Sequence, residues 1–141
     1  MPIQQISIFL ENRPGQLADV LCFMESKGID MLMYNLVETV DCGILRVLVK
    51  DVDAAIIALQ AGGYDARIKK LIGLLVPDIP GATVKAFQAL GSAGINVRYS
   101  YAYALQNKQS AAVLFKVDDN EKAEILLEQA GLLLLCQAEL L

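Results

Sequence analysis

The chain has no histidine, and this absence restricts its chemistry more than any other feature of its composition. Histidine is the commonest general base and a common metal ligand, so acid–base catalysis and metal binding lose their usual residue. The three cysteines, Cys22, Cys42 and Cys136, are odd in number and widely spaced. That arrangement fits neither a disulfide framework nor a zinc motif. We therefore expect reduced thiols, a cytoplasmic location, and no metal or other cofactor.

Long apolar runs and an excess of basic residues are also missing. The longest strongly apolar stretch, 132–136, is far too short to cross a bilayer, and residues 1–5 do not resemble an export signal. The net charge is −4, so a phosphate backbone is not an expected partner. The composition argues against a membrane partner and against nucleic acid, while 55% apolar residues exclude a disordered chain.

The sequence does contain an internal duplication. Pro14-Gly15 recurs as Pro80-Gly81, and Gly28-Ile29-Asp30 recurs at the same offset as Gly94-Ile95-Asn96. A helical segment near residue 54 matches one near residue 122 only when that offset is lengthened by two positions. We therefore expect two extra residues in the second copy, around 117–121. The repeat predicts two domains, 1–69 and 70–141, with two similar sites.

Hydrophobic periodicity predicts the order β-α-β-β-α-β in each half. The predicted helices begin at Pro14, Val52, Pro80 and Glu121, and a turn is predicted at Asn107-Lys108. The predicted strands are 3–10, 29–40, 44–50, 64–69, 71–76, 95–105, 110–117 and 132–141. This pattern is an α+β, ferredoxin-like arrangement in tandem, with antiparallel sheets and helices on one face.

The face of the sheet without helices should be polar, yet three apolar side chains are predicted to point there: Phe9, Leu71 and Leu75. Exposed apolar sheet surface usually marks a partner. The pattern therefore predicts that a second copy of the chain covers this face, as a homodimer.

The two strand-to-helix loops, 11–17 and 77–83, carry the strongest local signal for function. Each has a short polar side chain, Asn12 or Asp78, before a Pro-Gly step. Glycine allows a close approach to the backbone, and the first N–H groups of a helix lack partners in the helix, so an anion can bind them. A carboxylate is a suitable ligand there, with the nearby side chain accepting from an ammonium group. The alternative is plain helix capping by Asn12 and Asp78.

The run from Leu10 to Leu17, Leu-Glu-Asn-Arg-Pro-Gly-Gln-Leu, followed by Gly28-Ile29-Asp30, resembles the opening of the ACT domain. The second half, with Asp78-Ile79-Pro80-Gly81 and Gly94-Ile95-Asn96-Val97, resembles a second copy. It departs from the pattern at Ile79, where the family prefers arginine. The chain thus looks like a tandem ACT-domain protein.

The resemblance implies a small effector, most often an amino acid, bound at the seam between two ACT units. One implied site sets the first loop against the start of a second strand; its residues are Asn12, Arg13, Pro14, Gly15, Gln16 and Leu17, facing Asn96 and Val97. The counterpart consists of Asp78, Ile79, Pro80, Gly81 and Ala82, facing Asp30 and Met31. Because Asp78 and Ile79 differ from Asn12 and Arg13, the two sites need not be equivalent.

These residues favour two functions and disfavour two others. The first is an amino-acid sensor that acts as an allosteric regulatory protein, with a partner enzyme as a further possible target. The second is a regulatory subunit that has no effector and acts only by binding a partner enzyme. An enzyme is disfavoured, because neither loop holds a nucleophile, a base and an orienting group. Nucleic-acid binding on the same topology lacks the basic surface.

Overall fold

The computed structural model describes residues 2–105 and 109–140, so the predicted turn at Asn107-Lys108 lies outside the described residues. The chain forms two compact units. The first unit is Gln4–Lys69, and the second is Lys70–Leu140 together with Pro2 and Ile3. Each unit has strands on one layer and two helices on the other.

The first unit follows the predicted order of elements. Its elements are β1 (Ile3–Glu11), α1 (Gln16–Ser26), β2 (Met31–Glu38), β3 (Cys42–Val49), α2 (Val52–Ala61) and the beginning of β4 (Asp65–Pro77). Strand β3 lies between β1 and β2 and is antiparallel to both. The β1–β3 register pairs Ile6 with Val47 and Glu11 with Cys42.

The core of the first unit lies between the helices and one face of the strands. Ile6, Ile8 and Leu10 alternate along β1 and are buried, because alternate residues of a strand share a face. Val20 and Met24 of α1, one helical turn apart, face them, as the helical period requires. The predicted apolar stripes of both helices in this unit are therefore confirmed.

The second unit repeats this layout. Its elements are the later part of β4, α3 (Val84–Ser92), β5 (Tyr99–Ala104), β6 (Ser110–Lys116), α4 (Asn120–Gln129) and β7 (Leu133–Leu135), followed by a 3₁₀ turn at Gln137–Leu140. Strand β4 pairs antiparallel with β6 and β7, and β5 pairs antiparallel with β6. Phe115, Leu90 and Leu127 are central residues of its core.

Several predicted boundaries were wrong. Helix α3 begins at Val84 rather than Pro80, and β5 begins at Tyr99 rather than at residue 95. The strands predicted at 64–69 and 71–76 are one strand, β4, which passes from the first unit into the second. The last strand, predicted over 132–141, is only three residues long before the 3₁₀ turn. Helix α1 begins at Gln16 rather than Pro14, because Gly15 precedes it in the left-handed conformation, with φ 83°.

The position of the two extra residues was also predicted incorrectly. Glu38 pairs with Gly43 in the first unit, and Ala104 pairs with Ala111 in the second. The step from Glu38 to Ala104 equals the offset of the Pro-Gly repeat, whereas the step from Gly43 to Ala111 is two positions longer. The extra residues therefore lie between Ala104 and Ala111, in the β5–β6 connection and not at 117–121.

The face of β1 away from the helices is not open to solvent. Gln5 and Ser7 are 0% and 3% exposed, and Gln5 Nε2 donates to Ser7 Oγ at 3.1 Å. Leu71, expected on an uncovered face, is 0% exposed. Phe9 lies under the guanidinium of Arg67, 5.0 Å from its ring centre. These side chains therefore give no support to a homodimer through this face.

Candidate functional site

The first loop connects the end of β1 to α1 by a tight backbone turn. Arg13 N–H donates to Glu11 O at 3.0 Å, and Gln16 N–H donates to Arg13 O at 3.3 Å. Gly15 then enters the helix with a positive φ, which glycine adopts without strain. The first four loop residues of the implied site, Asn12, Arg13, Pro14 and Gly15, are all exposed.

Neither loop is capped by a side chain. The residues that precede α1 and α3 are Gly15 and Thr83, and in the part of the chain that the structure describes no side-chain oxygen accepts from the first turn of either helix. The capping alternative for Asn12 and Asp78 is therefore wrong. In the described part of the chain, the backbone N–H groups of Leu17 and Thr83, which occupy equivalent positions in the two copies, donate to no acceptor. Each loop thus presents a free donor at the positive end of a helix dipole.

The space in front of these turns is open. A Cβ atom added to Gly15 would meet nothing within 4 Å, and one added to Gly81 would meet only Val84 Cγ2 at 4.0 Å. A ligand atom can therefore approach the backbone of either turn without displacing side chains of its own unit.

Gln16 is the polar side chain of the first loop with an unsatisfied group. Its Oε1 atom is buried and has no hydrogen-bond partner among residues 2–105 and 109–140. Buried acceptors without partners are uncommon and often mark a position for a ligand or water. The matching residue of the second loop is Ala82, which has no such group.

The charges of the first loop are largely neutralised within it. Arg13 Nε lies 3.1 Å from Glu11 Oε2, and an Arg13 Nη atom lies 3.9 Å from Asp19 Oδ2. These side chains are half exposed or more, so the pairs contribute little to stability. In the second loop Ile79 replaces the arginine and is 62% exposed.

An ion pair lies near the start of the second strand in each unit, with reversed polarity. Asp30 Oδ2 lies 3.0 Å from Lys50 Nζ in the first unit. Arg98 Nε lies 2.7 Å from Asp118 Oδ1 in the second, where Asp118 occupies the position of Lys50. The sequence did not predict Lys50 or Asp118, because the pairs join residues 20 positions apart that only the strand registers bring together.

Asp30 borders a shallow depression of about 150 Å³, which has charged residues of both signs on its wall. Its lining residues are Lys27, Gly28, Ile29, Asp30, Lys50, Asp51, Ala54 and Ala55. Asn96, at the matching position of Asp30, is exposed. The two apolar neighbours, Met31 and Val97, pack against the cores of their own units, as do Leu17 and Ala82.

Within one unit the two parts of the implied site are far apart. Strands β1 and β2 are both antiparallel to β3 and so run in the same direction. The first loop follows the end of β1, whereas Asp30 precedes the start of β2. Eight strand residues at about 3.3 Å each separate these ends by roughly 25 Å. One unit alone therefore cannot bring Asn12–Leu17 and Asp30 to a single small ligand.

The described residues provide no alternative centre for metal chemistry. Residues 2–105 and 109–140 contain no group of three or more cysteine or acidic side chains placed to hold an ion. Within the same ranges, no helix is both long and apolar enough to cross a membrane.

Known proteins match this chain over nearly its whole length. A family model described as an ACT domain pair matches residues 1–140. The crystal structure of protein BT0572 from Bacteroides thetaiotaomicron is similar with a TM-score of 0.89 and 31% identity, over 99% of this chain and 96% of that chain. No curated protein matches this chain.

The regulatory subunit of aspartate kinase from Thermus thermophilus, in a ligand-free form, has a TM-score of 0.61 and 22% identity, over 90% of this chain and 91% of that chain. The regulatory subunit of aspartate kinase from Thermus flavus has a TM-score of 0.59 and 21% identity, over 91% of this chain and 92% of that chain. At these identities the likeness shows a shared fold.

Proposed function

Because the chain belongs to the family of ACT domain pairs, we propose that it is a regulatory protein that binds a small amino-acid effector at its strand-to-helix loops. One observation carries this proposal. The first loop combines a free N–H at Leu17, open space over Gly15 and an unpartnered Oε1 on Gln16.

These three features match the chemistry of a zwitterion. The carboxylate of an amino acid accepts from the Leu17 N–H, at the positive end of α1, where anions are favoured. The ammonium group donates to Gln16 Oε1, which satisfies a buried acceptor. Charge-assisted hydrogen bonds of this kind are the strong ones.

The residues that face each loop across its site are assigned from the family resemblance. In this proposal the first loop faces Asn96 and Val97, and the second loop, Asp78–Ala82, faces Asp30 and Met31. Within one unit the first loop and the start of the second strand are roughly 25 Å apart, so in this proposal neither unit supplies a whole site by itself. Met31 and Val97 would contribute backbone groups, because their side chains pack in their own cores.

The two sites are not expected to be equal. Ala82 replaces Gln16 in the second loop, and Ile79 replaces Arg13, so the second loop has no side-chain acceptor at the matching position. We therefore assign the effector primarily to the first loop.

The protein is proposed to be cytoplasmic, to have no enzymatic activity of its own, and to act as a homodimer or on a partner enzyme. Regulatory subunits of aspartate kinase share its fold, which supports a regulatory role. The alternative is a regulatory subunit without an effector.

A thermal-shift screen of the full chain against the twenty amino acids tests this proposal. A ligand present at about 100 times its Kd adds about 2.7 kcal/mol to the free energy of unfolding, which gives a clear rise in Tm. If no amino acid raises Tm, the effector-free alternative is favoured instead.

Gly15→Ala, compared with Gly63→Ala, tests the location of the site. Both glycines have a positive φ, 83° and 88°, and open space around a built Cβ. Both variants should therefore lose about 1–2 kcal/mol of stability from backbone strain. Only Gly15→Ala should also weaken effector binding, by tenfold or more in calorimetry, because its methyl group obstructs the first loop. Equal affinities in the two variants would place the ligand elsewhere.

A further inference from the structure

Helices α2 and α4 are the matched second helices of the two copies, and most of their sequence has diverged. Aligned at the longer offset, they keep the same residue at three of ten positions, which are Ala55 with Ala123, Ile57 with Ile125 and Leu59 with Leu127. The alanines and leucines are buried in the cores of their own units. Packing therefore explains two of the three identities, and it does not explain the isoleucines.

Both isoleucines lie on the outward side of their helices. Ile57 is 67% exposed and Ile125 is 58% exposed. A single exposed apolar side chain is ordinary, but the position just before it differs between the copies, with Ile56 in one and Glu124 in the other. Isoleucine is also a poorer helix former than alanine or leucine, because its branched Cβ restricts the side chain. Neither burial nor helix formation accounts for isoleucine at both positions, whereas contact with another molecule does.

The charges beside both isoleucines are mainly negative. Asp53 and Glu121 lie one helical turn before Ile57 and Ile125, on the same face of each helix, and both are exposed. Helix α2 has no basic residue, and α4 has Lys122 against three glutamates. In the part of the chain that the structure describes, Asp53 and Glu121 form no ion pair. Each isoleucine is therefore an apolar contact next to an unpaired carboxylate.

This charge selects among possible partners. A second copy of the chain would bring helices of net negative charge together, and anionic lipid or nucleic acid would be repelled. A protein surface with lysine or arginine around an apolar hollow is complementary in both respects. We infer that Ile57 and Ile125 each dock into such a hollow on a partner protein.

This inference rests on the proposed regulatory action on a partner enzyme and names the surface for it. It does not depend on effector binding, because the docking residues lie on α2 and α4, whereas the effector is assigned to the loops before α1 and α3. The thermal-shift screen and the experiments below therefore measure different properties of the protein.

Photo-crosslinking in the cells that naturally express the chain tests the surface. Ile57→benzoylphenylalanine and Ile125→benzoylphenylalanine, made separately in the full chain, should each be joined by ultraviolet light to the same protein. Mass spectrometry of the joined peptides should find lysine or arginine beside the attachment point. Val40→benzoylphenylalanine is the control. Val40 is 98% exposed but lies in the β2–β3 connection, where the copies differ in length, so it should not be joined to that protein.

Calorimetry with the purified partner then measures the contact. Ile57→Ser with Ile125→Ser should weaken binding about tenfold or more, whereas Val40→Ser should leave it unchanged. Asp53→Asn with Glu121→Gln should weaken binding at low salt and make it less sensitive to salt, because charge attraction is lost. All the substituted side chains are exposed, so circular dichroism should report folded protein for every variant.

The docking surface is wrong if neither position is joined to a protein, or if the joined molecule is a second copy of the chain or a lipid. It is also wrong if the joined peptides lack basic residues, or if the double serine variant binds with unchanged affinity. Any thermal shift by an amino acid should be the same in the double serine variant as in the natural chain. Crosslinks as expected, in a chain that no amino acid stabilises, would support the docking surface and contradict only the sensor proposal.

Discussion

At the scale of single residues, Gly73 is a position in β4 with no room for a side chain. A Cβ atom added there would overlap Ile3 Cδ1 and would lie 3.1 Å from Leu114 Cδ2 and 3.3 Å from Leu135 Cβ. Glycine inside a strand often marks such a close approach.

Gly73→Ala is therefore expected to lower the free energy of unfolding by about 1–3 kcal/mol, because the methyl group overpacks the core. Urea unfolding followed by circular dichroism measures this change. Gly91→Ala in α3 is the control: a Cβ there meets nothing within 4 Å, and alanine is the better helix former by about 1 kcal/mol. If Gly73→Ala proves as stable as Gly91→Ala, the contacts described around Gly73 are incorrect.

Tyr103, on β5, has a buried hydroxyl without a partner in the described part of the chain. Burial raises the pKa of this phenol above its ordinary value of 10.0, because the charged form is poorly solvated. Below pH 10.0 the phenol is protonated in both the folded and the unfolded chain, so it does not make stability depend on pH there. Since the folded pKa is raised, stability falls as pH rises from 10.0 through the folded pKa, because the unfolded chain ionises first.

Tyr103→Phe should remove this alkaline sensitivity. It should leave stability at neutral pH unchanged or increase it by up to about 1 kcal/mol, because an unpaired polar group is deleted. Melting temperatures from neutral to strongly alkaline pH check both effects. A large loss of stability at neutral pH would mean that the hydroxyl has a partner after all.

At the scale of secondary-structure elements, α2 and α4 begin with the same cap. Asp51 Oδ1 accepts from Ala54 N–H at 3.1 Å, and Asp119 Oδ1 accepts from Lys122 N–H at 3.1 Å. The two aspartates occupy equivalent positions in the two copies and have nearly equal backbone angles. By contrast, α1 and α3 begin without a side-chain cap. Of the four helices in the described ranges, the two that begin at the candidate loops are therefore the uncapped ones.

Asp51→Ala and Asp119→Ala are each expected to cost about 1 kcal/mol of stability through loss of the cap. Chemical denaturation of each variant measures this cost. Asp51→Asn and Asp119→Asn should retain most of the stability, since asparagine caps nearly as well. Asparagine variants as unstable as the alanine variants would show that charge, rather than capping, is responsible.

At the scale of the whole molecule, the sequence predicted the duplicated α+β fold and its helical stripes because both follow from local periodicity. It misplaced the start of α1, since the left-handed turn at Gly15 lies beyond what a Pro-Gly step reveals. It assigned the two extra residues to the wrong connection. Aligning the helical segments near residues 54 and 122 shows that two residues were added, but only the β5–β6 register shows where they lie.

For the candidate site, the sequence was enough to name the loop residues, but not to predict which hydrogen-bond and ion-pair partners their side chains have. The unpartnered Oε1 of Gln16 and the pairing of Asp30 with Lys50 depend on side-chain positions. The burial of Leu71 was missed for a similar reason. Whether a sheet face is covered depends on distant parts of the chain, which periodicity does not report.

The passage of β4 through the junction at Lys69 and Lys70 has a consequence for turnover of the protein. Proteases cleave most readily where the backbone is exposed and irregular. Here the junction lies inside a regular strand and offers no such segment, so limited digestion should not release the halves as separate fragments. The two halves are therefore expected to be degraded together.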